Sequence, residues 1–152
     1  MEIPKEVITV IKKLNKAGFE AYVVGGCVRD FLQNVEPKDW DVTTSARPEE
    51  IQKIFSENFY ENKFLTVTVK TKSKDEALKE IEITTFRSEA KYSDKRHPDE
   101  IKFAKTLEED LKRRDFTINA MGIRLGKTGG KQEVIDLFAG QGDLKNKIIR
   151  AV

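Results

Sequence analysis

The most informative part of the sequence is Gly25-Gly26-Cys27-Val28-Arg29-Asp30, followed closely by Asp39-Trp40-Asp41. Apolar, β-rich residues lie at 19–24 and helical spacing resumes after the glycines, so the pattern predicts a strand, a turn and a helix. Gly25 and Gly26 at that junction let backbone N–H groups approach a polyanion, which the start of the helix also favours. Arg29 adds a planar fork for phosphate oxygens. The stretch therefore predicts a phosphate cradle.

Asp39 and Asp41 form the second feature. Val42 and the β-branched pair Thr43-Thr44 indicate a strand over 39–44, in which residues two apart share a face. Two carboxylates on one face repel each other unless they bind cations, and hard oxygen ligands of this kind suit Mg²⁺ together with substrate phosphates. The pair therefore predicts a site for divalent metal beside the phosphate cradle.

Residues 80–87 supply a third feature, because their strict alternation predicts a half-buried strand. Ile81 and Ile83 take one face, while Glu80 and Glu82 take the other. If this strand lies beside the Asp39 strand, one glutamate completes a three-carboxylate site. Periodicity alone does not choose between Glu80 and Glu82, and a solvated acidic face gives the same pattern.

The fourth feature is the charged run around Arg113 and Arg114. Its apolar spacing predicts a helix that breaks and restarts near Asp115, with Asp115 capping the second piece. Asp115 and Asn119 lie one helical turn apart and could together bind a ribose or a base edge. Arginines at a helix end are otherwise typical of solvated surface.

The remaining sequence predicts one α/β domain. A helix is expected over 6–16, another from Pro48, and a hairpin from strands at 64–71 and 79–86, while 126–131 marks a further hairpin or loop tip. A chain of 152 residues suffices for one core.

Charge and cysteine content narrow the class of protein. A net charge of +2 gives weak support for a polyanionic partner, but basic residues cluster at 91–96 and 112–114 near the expected site. The single cysteine, Cys27, excludes an internal disulfide and is expected to be a small core residue. With no apolar run long enough for a bilayer and no signal peptide, we expect a cytoplasmic protein with no membrane partner.

Taken together, the four motifs resemble a known family. Gly-Gly-x-Val-Arg-Asp, Asp-x-Asp-x-x-Thr, Glu-Ile-Thr-Thr-Phe-Arg and Arg-Arg-Asp-Phe-Thr-Ile-Asn-Ala-Met occur in the order and spacing of the head domain of class II tRNA nucleotidyltransferases and bacterial poly(A) polymerases. The segment 135–152 is similar to the one that closes the head in that family. The resemblance covers nearly the whole chain.

The resemblance implies a polymerase-β-like nucleotidyltransferase fold, a mixed and mostly antiparallel sheet with helices packed on one side. It also implies a role for each site residue. Asp39 and Asp41 would bind two Mg²⁺ ions, for which Mn²⁺ could substitute, with Glu82 as the third catalytic carboxylate. The nucleotide-binding residues would be Gly25, Gly26, Arg29, Arg114, Asp115 and Asn119.

The activity implied is template-independent transfer of CMP or AMP from CTP or ATP to the 3′ end of an RNA, expected to be tRNA, with release of pyrophosphate. The chain is expected to hold the head alone, residues 1–152, without the family's neck, body and tail, so base choice stays open, as does the role of the loop at 88–98. Two alternatives stand beside it. They are a poly(A) polymerase head and a nucleotide- or RNA-binding fragment that is inactive without a neck supplied separately.

Overall fold

A single mixed sheet positions the rest of the chain. The computed structural model describes residues 1–61, 64–88, 102–127 and 130–152, and in these ranges seven strands lie in the order β3-β4-β5-β2-β1-β6-β7. The strands are β1 Ala21–Val24, β2 Asp41–Thr44, β3 Asn58–Glu61, β4 Thr66–Lys70, β5 Glu80–Thr85, β6 Met121–Leu125 and β7 Gln132–Asp136. The helices are α1 Lys5–Lys16, α2 Gly26–Leu32, α3 Pro48–Ile54, α4 Leu107–Lys112 and α5 Gly140–Lys145, with a 3-10 turn at Thr117–Asn119.

Strand direction confirms the predicted mixed, mostly antiparallel sheet. β2 and β5 run parallel, and the other described neighbours pair antiparallel. A parallel pair needs a long crossover, which α3, β3 and β4 provide between β2 and β5. The expected hairpin of 64–71 with 79–86 is β4–β5, and the tip expected at 126–131 joins β6 to β7.

The main core lies between one face of the sheet and helices α1, α2 and α3. Along α1 the buried residues recur every three or four positions, which places them on one stripe. They pack against alternate residues of the central strands, and this burial fixes which face of each strand is polar. Members of the stripe are Val7, Val10, Ile11 and Leu14, and their sheet partners include Val23, Val42, Ile81 and Ile83.

A smaller core lies on the opposite face of the sheet, over β1 and the end of β5. Leu107 and Leu111 of α4 pack there with Tyr22, Val24 and Phe86. The expectation of helices on one side therefore describes the main core, while α4 adds a second layer over part of the other face. In the described ranges, no helix is both long and apolar enough to cross a membrane.

Two local predictions differ from the structure, and a third lies mostly outside the described residues. β2 begins at Asp41, so Asp39 precedes the strand instead of starting it. The helix does break near Asp115, but the residue at the N-cap of the following 3-10 turn is Phe116; the predicted cap by Asp115 is wrong. Asp115 instead accepts a hydrogen bond from the Phe116 N–H at 2.7 Å. The basic cluster predicted at 91–96 and most of the loop at 88–98 lie outside the described residues.

The C-terminal segment braces the turn that follows α4. Asp143 is buried; it accepts a hydrogen bond from Thr117 Oγ1 at 2.7 Å and two from the Arg150 guanidinium at 3.0 Å each. The Thr117 N–H donates to the Arg150 carbonyl at 2.9 Å. Residues 148–152 thus hold residues 115–117 in place, next to the side chains predicted to bind nucleotide.

Gly140 is required where α5 meets this turn, because a Cβ there would lie 2.3 Å from the Thr117 carbonyl oxygen. We expect Gly140→Ala to lower the free energy of unfolding by about 2–3 kcal/mol, since backbone must move. Gly142 in the same helix has open space around its Cβ position, so Gly142→Ala should raise stability by about 0.5–1 kcal/mol. Urea unfolding followed by circular dichroism measures both, and equal effects would contradict the close approach.

Candidate active site

The turn between β1 and α2 is shaped by Gly25. Its φ of +84° lies in a region that residues with a Cβ rarely adopt. A Cβ at this position would also lie 3.4 Å from Arg114 Nη1 and 3.6 Å from Asp41 Oδ2. The predicted phosphate cradle, the Asp41 carboxylate and the Arg114 guanidinium therefore meet at one end of the sheet.

Asp41 and Glu82 face each other across the parallel pair β2–β5, where they are direct register partners. Burial, then Glu82 and Asp39, raise the pKa of Asp41 to about 6, while Arg114 opposes the shift. Desolvation and the charges of Asp39, Glu61 and Glu80 likewise raise the pKa of Glu82. Asp39, Asp41 and Glu82 are thus close enough for their charges to oppose one another, while their role as a three-carboxylate site stays a prediction.

The choice between Glu80 and Glu82 follows from the same register. Glu82 stands opposite Asp41 on one side and Thr68 on the other, whereas Glu80 stands opposite Lys70, nearer the start of the strand. Both glutamates are on the polar face, so the alternation was predicted correctly. The position beside Asp41 belongs to Glu82.

Asp110 holds the arginine pair in place. Its buried carboxylate accepts hydrogen bonds from Arg113 Nη2 at 3.3 Å, Arg114 Nη2 at 3.1 Å and the Arg87 N–H at 2.9 Å. Arg114 Nε is buried and has no hydrogen-bond partner among the described residues. Asp110 was not among the predicted site residues, although its spacing of three and four from the two arginines was the available signal.

Arg29 and Asn119 join two motifs that are 90 residues apart in sequence. Arg29 Nη1 donates to Asn119 Oδ1 at 3.0 Å, and Asn119 Nδ2 donates to Asp115 Oδ1 at 3.4 Å. The Nε and Nη2 atoms of Arg29 donate to Asp30 Oδ1 at 2.9 and 2.7 Å. All three guanidinium nitrogens therefore donate within the chain, which fixes the orientation of the group beside Gly26.

Cys27 lies in the core, as expected. Its thiol donates to the Val24 carbonyl at 3.1 Å, and burial raises its pKa to about 12. A thiol held protonated is a poor nucleophile. The candidate chemistry therefore belongs to the carboxylates.

Two or three carboxylates at an open site fit a hard divalent cation that also binds substrate phosphates. In the described ranges, no three His, Cys, Asp or Glu side chains converge closely enough to enclose a metal ion by themselves. The donor set that fits best is Asp39 and Asp41, with phosphate oxygens and water completing the coordination.

A concavity of about 730 Å³ lies elsewhere on the described surface. It runs from the start of α1 to the end of β4, and its charged lining is mainly lysine. It contains none of the clustered carboxylates, so its size does not mark the candidate site.

Comparison with known proteins defines the family. Residues 21–150 match the family described as the Poly A polymerase head domain, and the chain belongs to it. A CCA-adding enzyme from Lactobacillus delbrueckii subsp. bulgaricus is 47% identical over 152 residues, covering 99% of this chain and 36% of that protein. The resemblance that the four motifs gave is confirmed.

Solved structures of relatives share the fold. A crystal structure of the Bacillus stearothermophilus CCA-adding enzyme in complex with CTP aligns with a TM-score of 0.78 at 36% identity, covering 97% of this chain and 33% of that one. The Thermotoga maritima CCA-adding enzyme complexed with tRNA_CCA aligns with a TM-score of 0.70 at 27% identity, covering 99% and 33%. The chain therefore spans about a third of the length of these relatives.

The carboxylate cluster predicts how stability depends on pH. Asp41 binds its proton more tightly when folded than when unfolded, so stability is lost as pH rises from about 4 to about 6. Asp41→Asn removes this titration; without divalent metal we expect it to be more stable than the wild type by about 1–2 kcal/mol above pH 6, after allowance for solvent screening. Urea unfolding in a chelator between pH 4 and 7 tests this. The stability difference between Asp41→Asn and the wild type should become smaller in 1 M NaCl but persist, because burial is the larger cause of the raised pKa. A stability difference that is the same at low and high salt would contradict repulsion between the carboxylates.

Proposed function

We propose that this chain is the catalytic head of an RNA nucleotidyltransferase that joins CMP or AMP to the 3′ end of tRNA. The observation that carries the proposal is the meeting of Asp41, Glu82 and Arg114 at the Gly25 turn. Transfer from a nucleoside triphosphate requires two kinds of group. Carboxylates bind the cations, and cationic side chains or glycine backbone bind the phosphates.

Each group has a place in the proposed reaction. Asp39 and Asp41 would hold divalent cations, Mg²⁺ or Mn²⁺, which when bound lower the pKa of the attacking hydroxyl and neutralise charge on the departing pyrophosphate. Arg29 and Arg114 would bind the triphosphate, and the Gly25-Gly26 backbone would let it approach. Asp115 and Asn119 would address the ribose. Glu82 would act beside Asp41 as the third carboxylate.

Relatives support the choice of tRNA as substrate. The similar proteins are described as CCA-adding enzymes, and their structures include complexes with CTP and with tRNA_CCA. The family is described as the Poly A polymerase head domain, so the alternative activity is that of a polymerase that adds only A. The length and sequence of the product distinguish the two.

A transfer assay tests the proposal. The chain is incubated with Mg²⁺, labelled CTP or ATP, and tRNA transcripts that end before CCA, in CC or in CCA, alone and with a separately supplied neck and body fragment. We expect Asp41→Asn to lower incorporation by about a hundredfold or more and to weaken Mn²⁺ binding in calorimetry. Glu133→Gln, which removes an exposed acid paired with Arg124, is the matched control and should leave both unchanged.

Results of this assay separate the alternatives. Incorporation by the chain alone would exclude a role limited to binding. Addition of A to every transcript would favour poly(A) synthesis. Equal Mn²⁺ affinity in the wild type and Asp41→Asn would mean that Asp39 and Asp41 are not the metal site.

The groups identified at the site predict weak base selectivity for this chain. They address phosphates and sugar, which all four ribonucleotides share, and strong rejection of a wrong base requires buried polar groups that it leaves unpaired. We expect ATP, CTP, GTP and UTP to bind in Mg²⁺ with affinities within about fivefold of one another, and 2′-deoxy forms to bind more weakly. Competition titration measures this; a hundredfold preference would place a base-reading group in the head itself.

A further inference from the structure

A row of register partners crosses the sheet at the level of the catalytic carboxylates. Phe59 on β3 stands opposite Thr68 on β4, Thr68 opposite Glu82 on β5, and Glu82 opposite Asp41 on β2. Partners directly across a sheet point to the same face. The ring of Phe59 is therefore on the same face as Glu82, two strands away, which is about 10 Å at the usual strand spacing.

Phe59 is unusually exposed for an aromatic residue in a strand, at 61% of its surface. Its neighbours in sequence show the alternation of a sheet edge, with Asn58 and Tyr60 partly buried. Among the described residues, α4 packs on this face over β1 and the end of β5, and no helix packs over β3 and β4 on that side. As far as residues 1–61, 64–88, 102–127 and 130–152 show, the face next to Glu82 is therefore open.

In-line geometry indicates what approaches this open face. The attacking oxygen and the leaving pyrophosphate lie on opposite sides of the transferred phosphorus. The groups proposed for the triphosphate, Gly25 and Arg29, lie on the β1 side of Asp41. The RNA 3′ hydroxyl must then arrive from the β5 side, across the row that leads to Phe59.

We propose that Phe59 is a stacking platform for one of the last two bases at the 3′ end of the RNA substrate. An aromatic face binds any base by stacking and needs no charge of its own. Stacking suits a surface where Glu61, Glu80 and Glu82 would repel phosphates. The RNA backbone would then stay away from the sheet, and a base would turn toward it. The inference rests on the proposed function, because it assigns the side from which that reaction's RNA enters.

Stacking is tested with two matched RNAs, a hexaribonucleotide that ends in CC and the same RNA lacking its last two bases. Both are titrated into the full chain with Mg²⁺ and a non-hydrolysable CTP analogue. Phe59→Ala should lower the affinity for the intact RNA by about tenfold and the affinity for the abasic RNA by less than twofold. Phe59→Tyr should keep affinity within twofold. Leu137→Ala, which shortens an apolar residue of similar exposure after β7, is the control and should change neither affinity.

A second measurement reports the contact directly. Trp40 is the only tryptophan and is 3% exposed, so Phe59→Trp adds an exposed emitter. Intact RNA should quench this added fluorescence, and abasic RNA should not. Equal losses for both RNAs, no quenching at saturation, or no RNA binding by a chain that binds the CTP analogue would overturn the role of Phe59. A chain that binds neither nucleotide nor RNA would instead contradict the proposed function.

Discussion

The parallel pairing of β2 with β5 is the constraint on which the site depends. It places Glu82 opposite Asp41, and because side chains alternate along a strand, a slip of one residue would turn Glu82 toward the main core. Contacts beyond the strands fix this register. Thr85 Oγ1 donates to the Ala46 carbonyl at 2.6 Å, and the Phe86 N–H donates to the Thr44 carbonyl at 2.8 Å. Burial of Ile83 beside Val42 on the other face supports the same register.

The carboxylates at this end of the sheet lower the stability of the fold. Burial, and then the neighbouring carboxylates, raise the pKa of Asp41 and of Glu82, which opposes folding at neutral pH. The buried Asp110 carboxylate forms ion pairs with Arg113 and Arg114, which neutralises part of their charge and fixes the orientation of both guanidinium groups. Removing Asp110 would leave the Arg113 and Arg114 guanidinium groups without the carboxylate that orients them. Stability is therefore lowered at the carboxylates, which is common at functional sites.

Local patterns predicted the parts of this structure that local chemistry determines. The stripe of α1, the Gly25 turn and the alternation of β5 each follow from periodicity or backbone preference. Relations between distant segments were not accessible in the same way. Glu80 and Glu82 have the same local pattern, and only the pairing with β2 separates them. β3 was missed because its four residues form a short edge strand with a single alternation and no β-branched residue. The hydrogen bond of Arg29 to Asn119 spans 90 residues, and neither local pattern contains it.

The two halves of the polar sheet face differ in a way that suits two substrates. Over β1, α4 covers the sheet, and the hydrogen bonds of Asp110 and Asn119 fix the directions of the Arg114 and Arg29 guanidinium groups. Such rigidity favours a ligand whose phosphates are the same in every cycle. Over β4 and β3 the described residues leave the face open, and under the proposed function a 3′ end that changes its bases as it grows would require a surface tolerant of base identity. On that proposal, the fixed donors on one side of Asp41 would serve the nucleotide, and the exposed Phe59 on the other side would serve the RNA.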